Sequence, residues 1–405
     1  MNLGLPRAES LHGGSTKVRT LVAALLLLSG LVALLPSAAA AQPASAGGVI
    51  APRVIGGTTA AQGAWPSQAY VQTEVDSESS GCGGTLIDPD WVLTAAHCVT
   101  DDNGDPVAPE AVFVVLGKQD LDEVNVDDFY DVAGIEVHPG WNPVTVRWDL
   151  ALLRLATPSS QPAMSLIQPS QEPSTTGGKT ALVAGWGCTS SDPGGCDNAA
   201  AYPAQLQEAT VSFVSDSVCG SSRSWSSTFD PKMMICAGSY GSGTPAVCSG
   251  DSGGPLIAFA GGEKVLAGVT SFGSGDPLCI AKTRPAVFAR VAAGRSWIDS
   301  TLGRRASLSG LRLTPSRKRV RAGARASFRI RLVNAGDAAG SGRIKLSIDR
   351  RRKATVQGSV TIGVDAGGSA TRKVKVGTRR GRVGTVVVKA RLGGEVARAT
   401  LIIGR

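Results

Sequence analysis

The stretch "CSGDSGGP", residues 248–255, places Ser252 among glycines, where its hydroxyl could act as a nucleophile. Such a hydroxyl attacks a carbonyl group only if a nearby base takes its proton and an acid orients that base. Of the three histidines, His12 lies near the amino terminus, and His138 precedes a proline in "EVHPGW", which is typical of a solvated turn. His97 ends the apolar run "WVLTAAHC" and is the better base, because a neutral imidazole can take a proton and return it.

An acid that could orient His97 occurs in "RWDLALLRLA", where Asp149 precedes a long apolar run. A carboxylate buried beside apolar residues is costly unless it accepts hydrogen bonds, and a histidine N–H would meet that need. Each residue also has an ordinary structural explanation: Ser252 as a loop serine, His97 as a core histidine and Asp149 as a residue that starts a strand. The elements around them must decide between the two interpretations.

The elements between residues 54 and 300 are short apolar runs separated by Gly, Pro, Ser and Asp. Examples are "SQAYVQT", "GGTLIDPDWVLTAA", "AVFVVLG", "LALLRLA", "TALVAGWG" and "KVLAGVTSF". This pattern predicts the strands of an all-β barrel or sandwich with turns at short intervals. One amphipathic helix is predicted near the end of this region, at "AAGRSWIDSTLG". The region shows no alternation of strands and helices, so the sequence does not predict βαβ units or a parallel sheet.

His97, Asp149 and Ser252 follow one another in the order of the catalytic residues of the trypsin/chymotrypsin-like serine proteases. The chain resembles this family over roughly residues 54–302. The motifs that carry the resemblance are "VIGG" (54–57), "GCGGTLI", "TAAHC", "DLALLRL", "GWG" (185–187), "MICAG" (234–238), "GDSGGP" (250–255) and "VTSFG" (269–273). The resemblance implies a two-barrel, chymotrypsin-like protease domain over residues 54–303. It also implies a serine endopeptidase that hydrolyses peptide bonds through the triad and needs neither a cofactor nor a metal.

The same resemblance assigns roles to the residues beside the nucleophile. The N–H groups of Gly250 and Ser252 would form the oxyanion hole. An activating protease would cut after Arg53 in "APRVIGG", and the new amino terminus at Val54 would pair with Asp251. A buried aspartate without that partner is costly, which would keep the precursor inactive. The alternative for Arg53 is an arginine in a flexible leader.

Eight cysteines, an even number, predict four disulfides in an exported protein. A zinc site is disfavoured, because no paired C-x-x-C spacing with nearby histidines occurs. The family resemblance implies the bridges Cys82–Cys98, Cys219–Cys236 and Cys248–Cys279, which leaves Cys188 and Cys196 to each other. Lys118 in "LGKQDLDE" stands where the family's calcium loop has a carboxylate, so the acids from 120 to 131 are expected to form a solvated face.

Substrate preference should follow from the pocket that receives the side chain before the scissile bond. Tryptic relatives have an aspartate six residues before the catalytic serine, whereas this chain has Ala246, followed by Val247. The remaining pocket wall is expected at Ser271, Phe272, Gly273 and Ala286. A basic substrate side chain would lose its hydration there without meeting a carboxylate.

Charges beside the pocket favour the same preference. Lys282 and Arg284 would repel a basic side chain, and Asp276 belongs to a loop expected at the rim. Small to medium apolar side chains are therefore the predicted preference, which is elastase-like or chymotrypsin-like. The alternatives are tryptic specificity and a catalytically inactive binding homologue.

The amino-terminal residues have the order of a secretory signal. Lys17 and Arg19 precede "LVAALLLLSGLVALL" (21–35), and "PSAAAAQPASA" offers cleavage after Ala41 or Ala46. We interpret residues 1–46 as a signal peptide and 47–53 as a short activation propeptide, which predicts a secreted, extracellular protein without a transmembrane anchor. The apolar run is shorter than the ~20 residues that usually cross a bilayer. An uncleaved membrane anchor is the alternative.

Charge divides the chain sharply near residue 304. Residues 54–303 contain 11 Lys and Arg against 27 Asp and Glu, a net charge of −16, whereas residues 304–405 contain 26 against 4, a net charge of +22. This break marks a linker at 304–310 and a second domain at 311–405. Apolar residues alternate with Arg and Lys in "SFRIRLV" and "RKVKV", which predicts a small Ig-like β-sandwich of six or seven strands.

The positive charge of this second domain suits an anionic cell-surface polymer. Specific nucleic-acid binding is not expected, because the segment has neither interleaved aromatic residues nor a recognition motif. Two alternatives remain open: the domain could pair with the acidic protease domain, or it could be a solubilising spacer. The protease domain itself would bind protein or peptide substrates.

Overall fold

The computed structural model describes residues 54–75, 78–190, 195–242, 245–274, 279 and 282–405. The predicted signal peptide, the propeptide with Arg53, and the rim residue Asp276 lie outside the described residues.

The first barrel closes from six antiparallel strands. A short strand, β1 (Thr58–Thr59), precedes it and pairs with the second barrel. The six strands are β2 (Gln68–Val75), β3 (Glu78–Asp88), β4 (Trp91–Thr94), β5 (Val112–Leu116), β6 (Phe129–Val137) and β7 (Ala151–Leu155). Their order around the barrel is β2-β3-β4-β7-β6-β5. Along β2, buried and more exposed side chains alternate in the middle of the strand, as expected when one face of a strand lines a core.

The strands of the second barrel are β8 (Thr180–Gly185), β9 (Gln207–Val214), β10 (Met234–Gly238), β11 (Pro255–Ala260), β12 (Glu263–Phe272) and β13 (Ala286–Arg290). Their order is β9-β10-β13-β12-β11-β8, and a β8–β9 pairing closes the barrel. A short helix, α1 (Asp216–Cys219), follows β9, and α2 (Val291–Thr301) ends the region. The predicted carboxy-terminal helix is therefore present, and it buries Val291, Gly294 and Ile298. This two-barrel architecture confirms the predicted fold class.

The two barrels meet at the loops that carry the candidate residues. The N–H of Gly83 in β3 donates to the carbonyl of Ser252 over 2.6 Å, which joins the first barrel to the serine turn of the second. A Cβ on Gly253 would collide with the Gly83 carbonyl and the Thr94 hydroxyl, so only glycine permits this approach. His97 lies in a 3-10 turn (Ala96–Cys98) just after β4, directly beside this junction.

All eight cysteines form disulfides. The four bridges are Cys82–Cys98, Cys188–Cys196, Cys219–Cys236 and Cys248–Cys279. These are the pairs expected, including the Cys188–Cys196 pair that closes a loop of its own. The Cys82–Cys98 bridge fixes β3 next to the turn that holds His97.

Residues 308–404 form a separate sandwich of two sheets. The strands are β14 (Leu308–Thr314), β15 (Arg317–Arg321), β16 (Arg325–Asn334), β17 (Gly340–Ile348), β18 (Ala354–Val356), β19 (Ser359–Val364), β20 (Ser369–Thr378), β21 (Gly384–Leu392) and β22 (Glu395–Gly404). One sheet has the order β14-β16-β20-β18 and the other the order β15-β22-β21-β17-β19. A core distinct from that of the barrels lies between them, with Phe328, Ile344 and Leu401 fully buried.

The sandwich has nine strands where six or seven were predicted. The additional strands are short and lack a clear apolar alternation: β15 reads "RKRVR", and β18 has three residues. β15 is recruited by parallel pairing with β22, a tertiary contact that local sequence does not encode. The first strand also begins at Leu308, inside the segment predicted as a linker.

Candidate active site

The His97 imidazole and the Asp149 carboxylate form a two-point contact. Asp149 Oδ2 lies 2.8 Å from His97 Nδ1, and Asp149 Oδ1 accepts the backbone N–H of His97 over 3.0 Å. The Asp149 side chain is 1% exposed, whereas the His97 side chain is 31% exposed. This arrangement directs Nδ1 towards the carboxylate and leaves Nε2 as the nitrogen available for proton transfer.

The Asp149 carboxylate has a third donor that sequence reasoning did not assign. The hydroxyl of Ser271, in β12, donates to Asp149 Oδ2 over 2.5 Å. Ser271 was expected in the wall of the substrate pocket, but its hydroxyl is directed at the acid instead. The available signal was a serine at the buried end of an apolar strand, where a hydroxyl requires a partner.

These contacts shift the ionisation of both groups towards an ion pair. Burial raises the pKa of Asp149, but the charge of His97 and the hydrogen bonds from His97 and Ser271 outweigh it, so the net pKa is lowered. Burial lowers the pKa of His97, but the charge and the hydrogen bond of Asp149 outweigh it, so the net pKa is raised. The imidazole is therefore a stronger base than a free histidine, as a general base requires.

Ser252 lies in a tight turn between β10 and β11. The turn is held by the Gly253 N–H, which donates to the Thr270 carbonyl over 2.8 Å, and by the Gly254 N–H, which donates to Asp251 O over 3.0 Å. Gly250 has a φ of +90°, and a Cβ there would lie 3.2 Å from the Tyr202 ring, so this position suits glycine alone.

No hydrogen bond joins the Ser252 hydroxyl to His97 among the residues described. The His97 Nε2 lies 3.8 Å from the Cys98 sulfur. Hydrogen bonds between a catalytic nucleophile and its base are often loose without substrate and tighten when substrate binds.

Asp251 is a buried carboxylate behind the serine turn. Its two oxygens accept the backbone N–H groups of Gly187 and Cys248, each over 2.9 Å. Burial raises the pKa of Asp251 to about 6, although these two hydrogen bonds oppose the shift. A Cβ on Gly187 would lie 2.5 Å from the Asp251 Cγ, which explains the glycine in "GWG".

Val54 and Ile55 are also buried, whereas the next residue, Gly56, is exposed. Val54 is fully enclosed in the core, and the carbonyl of Ile55 accepts the Ala246 N–H over 3.0 Å. The residue predicted to become the mature amino terminus is therefore buried, and its neighbour Ile55 is hydrogen-bonded to Ala246.

The predicted pocket residues come from two neighbouring segments of the second barrel and from Ala246 and Val247. Ala246 and Val247 are half-buried, and Ala286 pairs with Ala237 of β10. Phe272 packs edge-on against Trp225, with ring centroids 5.1 Å apart.

Two further features bear on this region. Apart from Gly273 itself and its two chain neighbours, no atom of the described residues lies within 4 Å of the position that a Cβ on Gly273 would take. The guanidinium of Arg284 lies over the Trp225 ring, 5.7 Å from its centroid, and the Trp225 indole N–H donates to Pro285 O. Trp225, which sequence reasoning did not single out, thus anchors both Phe272 and Arg284.

A family model described as Trypsin matches residues 54–298, more than half of the chain. The chain belongs to the trypsin family of serine proteases. It is 37% identical over 257 residues to chymotrypsin-like elastase family member 1 of Macaca fascicularis, a match that covers 62% of this chain and 90% of that protein. The Bos taurus protein of the same name is 37% identical over 259 residues, with the same coverage. The Homo sapiens protein is 36% identical over 257 residues and is covered to 92%.

The protein is therefore a serine endopeptidase. Because residues beyond 298 lie outside the family match, the sandwich is an addition to the protease. Within the described residues, no helix has the length and apolar character to span a bilayer.

The protease's second histidine, His138, lies in the predicted turn, where its carbonyl accepts the Trp141 N–H over 2.8 Å. Its side chain is half-buried rather than fully solvated, because the ring stacks on Trp148 at a centroid distance of 4.3 Å and meets Trp297 edge-on at 5.0 Å. Partial burial lowers the pKa of His138. Trp148 has a φ of +56°, a backbone conformation that few residues other than glycine adopt, and the ring stack supports it. Trp148 directly precedes Asp149.

The acidic loop of the protease is organised around Lys118. The Lys118 ammonium lies 2.8 Å from Asp128 Oδ2 and 3.2 Å from the carbonyl of Glu123. The Lys118 nitrogen therefore contacts both a carboxylate oxygen of Asp128 and the carbonyl oxygen of Glu123.

Proposed function

We propose that this serine protease is exported as a precursor and cleaves peptide bonds after small to medium apolar side chains, with Ser252 as nucleophile, His97 as base and Asp149 as orienting acid. The observation that carries the proposal is the contact of the buried Asp149 carboxylate with both the ring and the backbone of His97. This geometry holds His97 in the tautomer that can accept a proton on Nε2.

In this mechanism, Nε2 of His97 takes the Ser252 proton as the hydroxyl oxygen attacks the scissile carbonyl. The carbonyl oxygen becomes negative and is stabilised by the N–H groups of Gly250 and Ser252. Nε2 then returns the proton to the leaving amine, and an acyl-enzyme remains. Water attacks the acyl group by the same route, and Ser252 is regenerated. One oxyanion donor typically contributes ~3 kcal/mol to transition-state stabilisation.

The preference for apolar side chains rests on Ala246. No carboxylate stands at that position to receive an arginine or lysine side chain, which would cost several kcal/mol to desolvate unpaired. The relatives described as elastases support the same preference. The methyl side chains of Ala246 and Ala286 and the larger side chain of Val247 suit small to medium substrate groups. Tryptic specificity is the alternative.

Activation would follow cleavage after Arg53. The new Val54 ammonium would meet the Asp251 carboxylate, whose burial makes its charge costly without a cation. Support comes from the burial of Val54 and from its connection through Ile55 to Ala246. The paired carboxylate would then hold the turn from Cys248 to Ser252, and with it the oxyanion donors.

Export follows from the signal-like order of residues 1–46 and from four disulfides, which persist in oxidising compartments. The sandwich, with its net charge of +22 over residues 304–405, would attach the secreted enzyme to an anionic cell-surface polymer.

The test is a peptide-library profile of the mature form that begins at Val54. We expect cleavage after Ala, Val, Leu or Met, and a loss on the order of 10⁴-fold or more in Ser252→Ala. The matched specificity variant is Ala246→Asp, which should transfer preference towards Arg and Lys. Cleavage after Arg or Lys by the unmodified protein would refute the pocket assignment. No cleavage by a folded, correctly trimmed protein would favour the inactive binding homologue.

A further inference from the structure

The end of the sandwich nearest the protease uses acidic residues, not basic ones, for its contacts. Asp365 accepts hydrogen bonds from the backbone N–H (3.2 Å) and the hydroxyl of Ser170. Asp337 accepts the Arg305 N–H over 2.6 Å. Two of the four acids of residues 304–405 are thus engaged near the domain junction.

The positive charge of the sandwich does not neutralise the acidic protease domain. Among the described residues, the ion pairs between the two charge blocks come from Arg304 alone, which binds Asp88 over 2.7 Å and lies 4.0 Å from Asp299. Arg304 directly follows α2 and precedes the sandwich. The cations of residues 308–405 are therefore available to a partner outside the chain.

Three turns converge at the opposite end of the sandwich. The N–H of Arg379 donates to Lys353 O over 2.9 Å, which joins the turn after β20 to the turn after β17. The Thr378 hydroxyl contacts Arg321 O at 3.2 Å, which adds the turn after β15. We call this end the basic tip, and its cations are Arg321, Arg350, Arg351, Arg352, Lys353, Arg379, Arg380 and Arg382.

The cations of the basic tip are solvent-facing and almost entirely unpaired. All except Lys353 are exposed, and Lys353 is half-buried. Residues 282–405 are described without a gap, and within them Arg350 is the one tip residue near an acid, at 3.9 Å from Asp349. Asp349 also accepts the Val387 N–H over 2.8 Å. A concentration of like charges without counter-charges destabilises a fold, and a bound polyanion would relieve that cost.

We propose that the basic tip binds a linear, phosphate-bearing polymer of the cell surface. The proposal rests on the proposed attachment of the sandwich to an anionic cell-surface polymer, and it assigns that attachment to the basic tip. Seven of the eight tip cations are arginines, whose planar fork binds phosphate oxygens in pairs. Their distribution over three turns suits a chain that presents many anions in series rather than one small anion.

Two other partners fit less well. Nucleic-acid bases would need aromatic surfaces for stacking, and Phe328, the one aromatic residue from 304 to 405, is fully buried. Membrane insertion would need exposed apolar side chains, and at the tip the large exposed apolar residue is Val383 alone, 44% exposed.

The experiment measures the Kd of the full chain for fluorescent polyphosphate across a salt series. All proteins carry Ser252→Ala, which prevents self-cleavage. The tip variant is Arg350→Gln/Arg351→Gln/Arg352→Gln. The matched control is Arg312→Gln/Arg343→Gln/Arg391→Gln, which removes the same charge from exposed strand positions. Melting temperatures of all forms are compared first, so that only folded proteins enter the comparison.

We expect the tip variant to bind at least about tenfold more weakly at physiological salt, with the slope of log Kd against log salt reduced by about two. The control should change by less than about threefold. An Arg→Lys version of the tip variant keeps the charge, so an intermediate loss would identify the paired guanidinium contacts.

Four results would overturn the proposal. Equal losses in tip and control would mean that binding follows overall charge, and the attachment role would survive without a tip site. Tighter binding to polyglutamate would exclude phosphate as the recognised group. Tip-dependent binding to anionic vesicles or double-stranded DNA in preference to polyphosphate would assign the tip to a membrane or to nucleic acid. No binding to any polyanion would refute the attachment role as well.

Discussion

At the scale of single residues, the Asp149 carboxylate is the centre of the candidate site. It accepts hydrogen bonds from the His97 ring, the His97 backbone and the Ser271 hydroxyl, so almost all of its acceptor capacity is used. A buried carboxylate that accepts several hydrogen bonds is stabilised in its ionised form and keeps its geometry. His97 is therefore held both in position and in tautomer.

We predict that kcat/KM falls on its acid side around a pKa above the ordinary histidine value of about 6.5, because only the neutral imidazole acts as base. Asp149→Asn should lower this midpoint, since burial alone lowers the pKa of His97. It should also reduce kcat by about 10⁴-fold, the reference value for this substitution in this family. The pH profile of kcat/KM measures both effects.

Ser271→Ala should move the acid-side midpoint of kcat/KM in the opposite direction. Without its hydroxyl donor, the Asp149 charge is less stabilised and attracts the imidazolium more strongly, so the acid midpoint should move upward. A profile that is the same in both variants would contradict the assigned hydrogen-bond network.

Asp251 gives a prediction about the precursor. Its folded pKa of about 6 exceeds the ordinary 3.8, so the folded precursor prefers the neutral carboxyl. The free energy of unfolding of the precursor should therefore fall by on the order of 3 kcal/mol as pH rises from about 4 to about 6. Cleavage that frees the Val54 ammonium should restore most of this free energy at pH 7. That gain should disappear as the ammonium deprotonates above about pH 8.

Denaturant unfolding of the uncut and trimmed forms at pH 5 and pH 7, both with Ser252→Ala, measures this difference. Asp251→Asn is the control and should make the difference vanish. If trimming leaves the stability at pH 7 unchanged, Val54 and Asp251 do not pair.

At the scale of elements, the loop between β5 and β6 shows how one side chain can organise several acids. Lys118 contacts Asp128 and the Glu123 carbonyl, and its hydrogen bond and charge, together with the Asn125 N–H, lower the pKa of Asp128. Since a lysine supplies the cation, the loop should not require a bound metal ion.

We predict that about 10 mM calcium leaves the melting temperature of the unmodified protein unchanged. Lys118→Glu should create an oxygen-lined site with Asp128 and the Glu123 carbonyl. With a Kd of ~1 mM, as in many extracellular sites, calcium would stabilise this variant by ~1.4 kcal/mol and raise its melting temperature by about 3–5 °C. Calorimetry with and without calcium measures the shift, and Lys118→Met separates loss of the lysine from gain of the metal. A calcium-dependent shift in the unmodified protein would be the contrary result.

At the scale of the whole molecule, charge is separated into an acidic protease and a basic sandwich. The two parts have separate cores and meet through a few polar contacts made by Arg304, Arg305 and Ser170. Small polar junctions of this kind contribute little to the stability of either part.

We predict that a chain ending at Arg305 keeps kcat/KM on a short peptide within about twofold, because the three residues of the proposed triad all lie in the two-barrel region. The same truncation should abolish retention on immobilised polyphosphate. Initial rates and column retention of the two forms provide the measurements, with the full chain in the same buffer as reference. A loss of more than about tenfold in kcat/KM would show that the sandwich supports the active site.

The sequence alone was enough to predict a serine endopeptidase, its fold class and the charge division of the chain. Strand periodicity, cysteine number and the motifs around His97, Asp149 and Ser252 are local properties, and they can be recognised before any contact is known. The predicted barrels and the four disulfides are confirmed in the structure for that reason.

The tertiary structure decided what depends on distant partners. The Ser271 hydroxyl turns to Asp149, a residue 122 positions away, because the packing of the two barrels places the acid there. His138 lies in the predicted turn, but contacts with Trp148 and Trp297 leave its side chain only half-exposed. The basic tip exists because three turns meet, although none of them is unusual in isolation. Local patterns encode burial within an element, whereas the direction of a hydroxyl or the convergence of charges depends on how elements pack together.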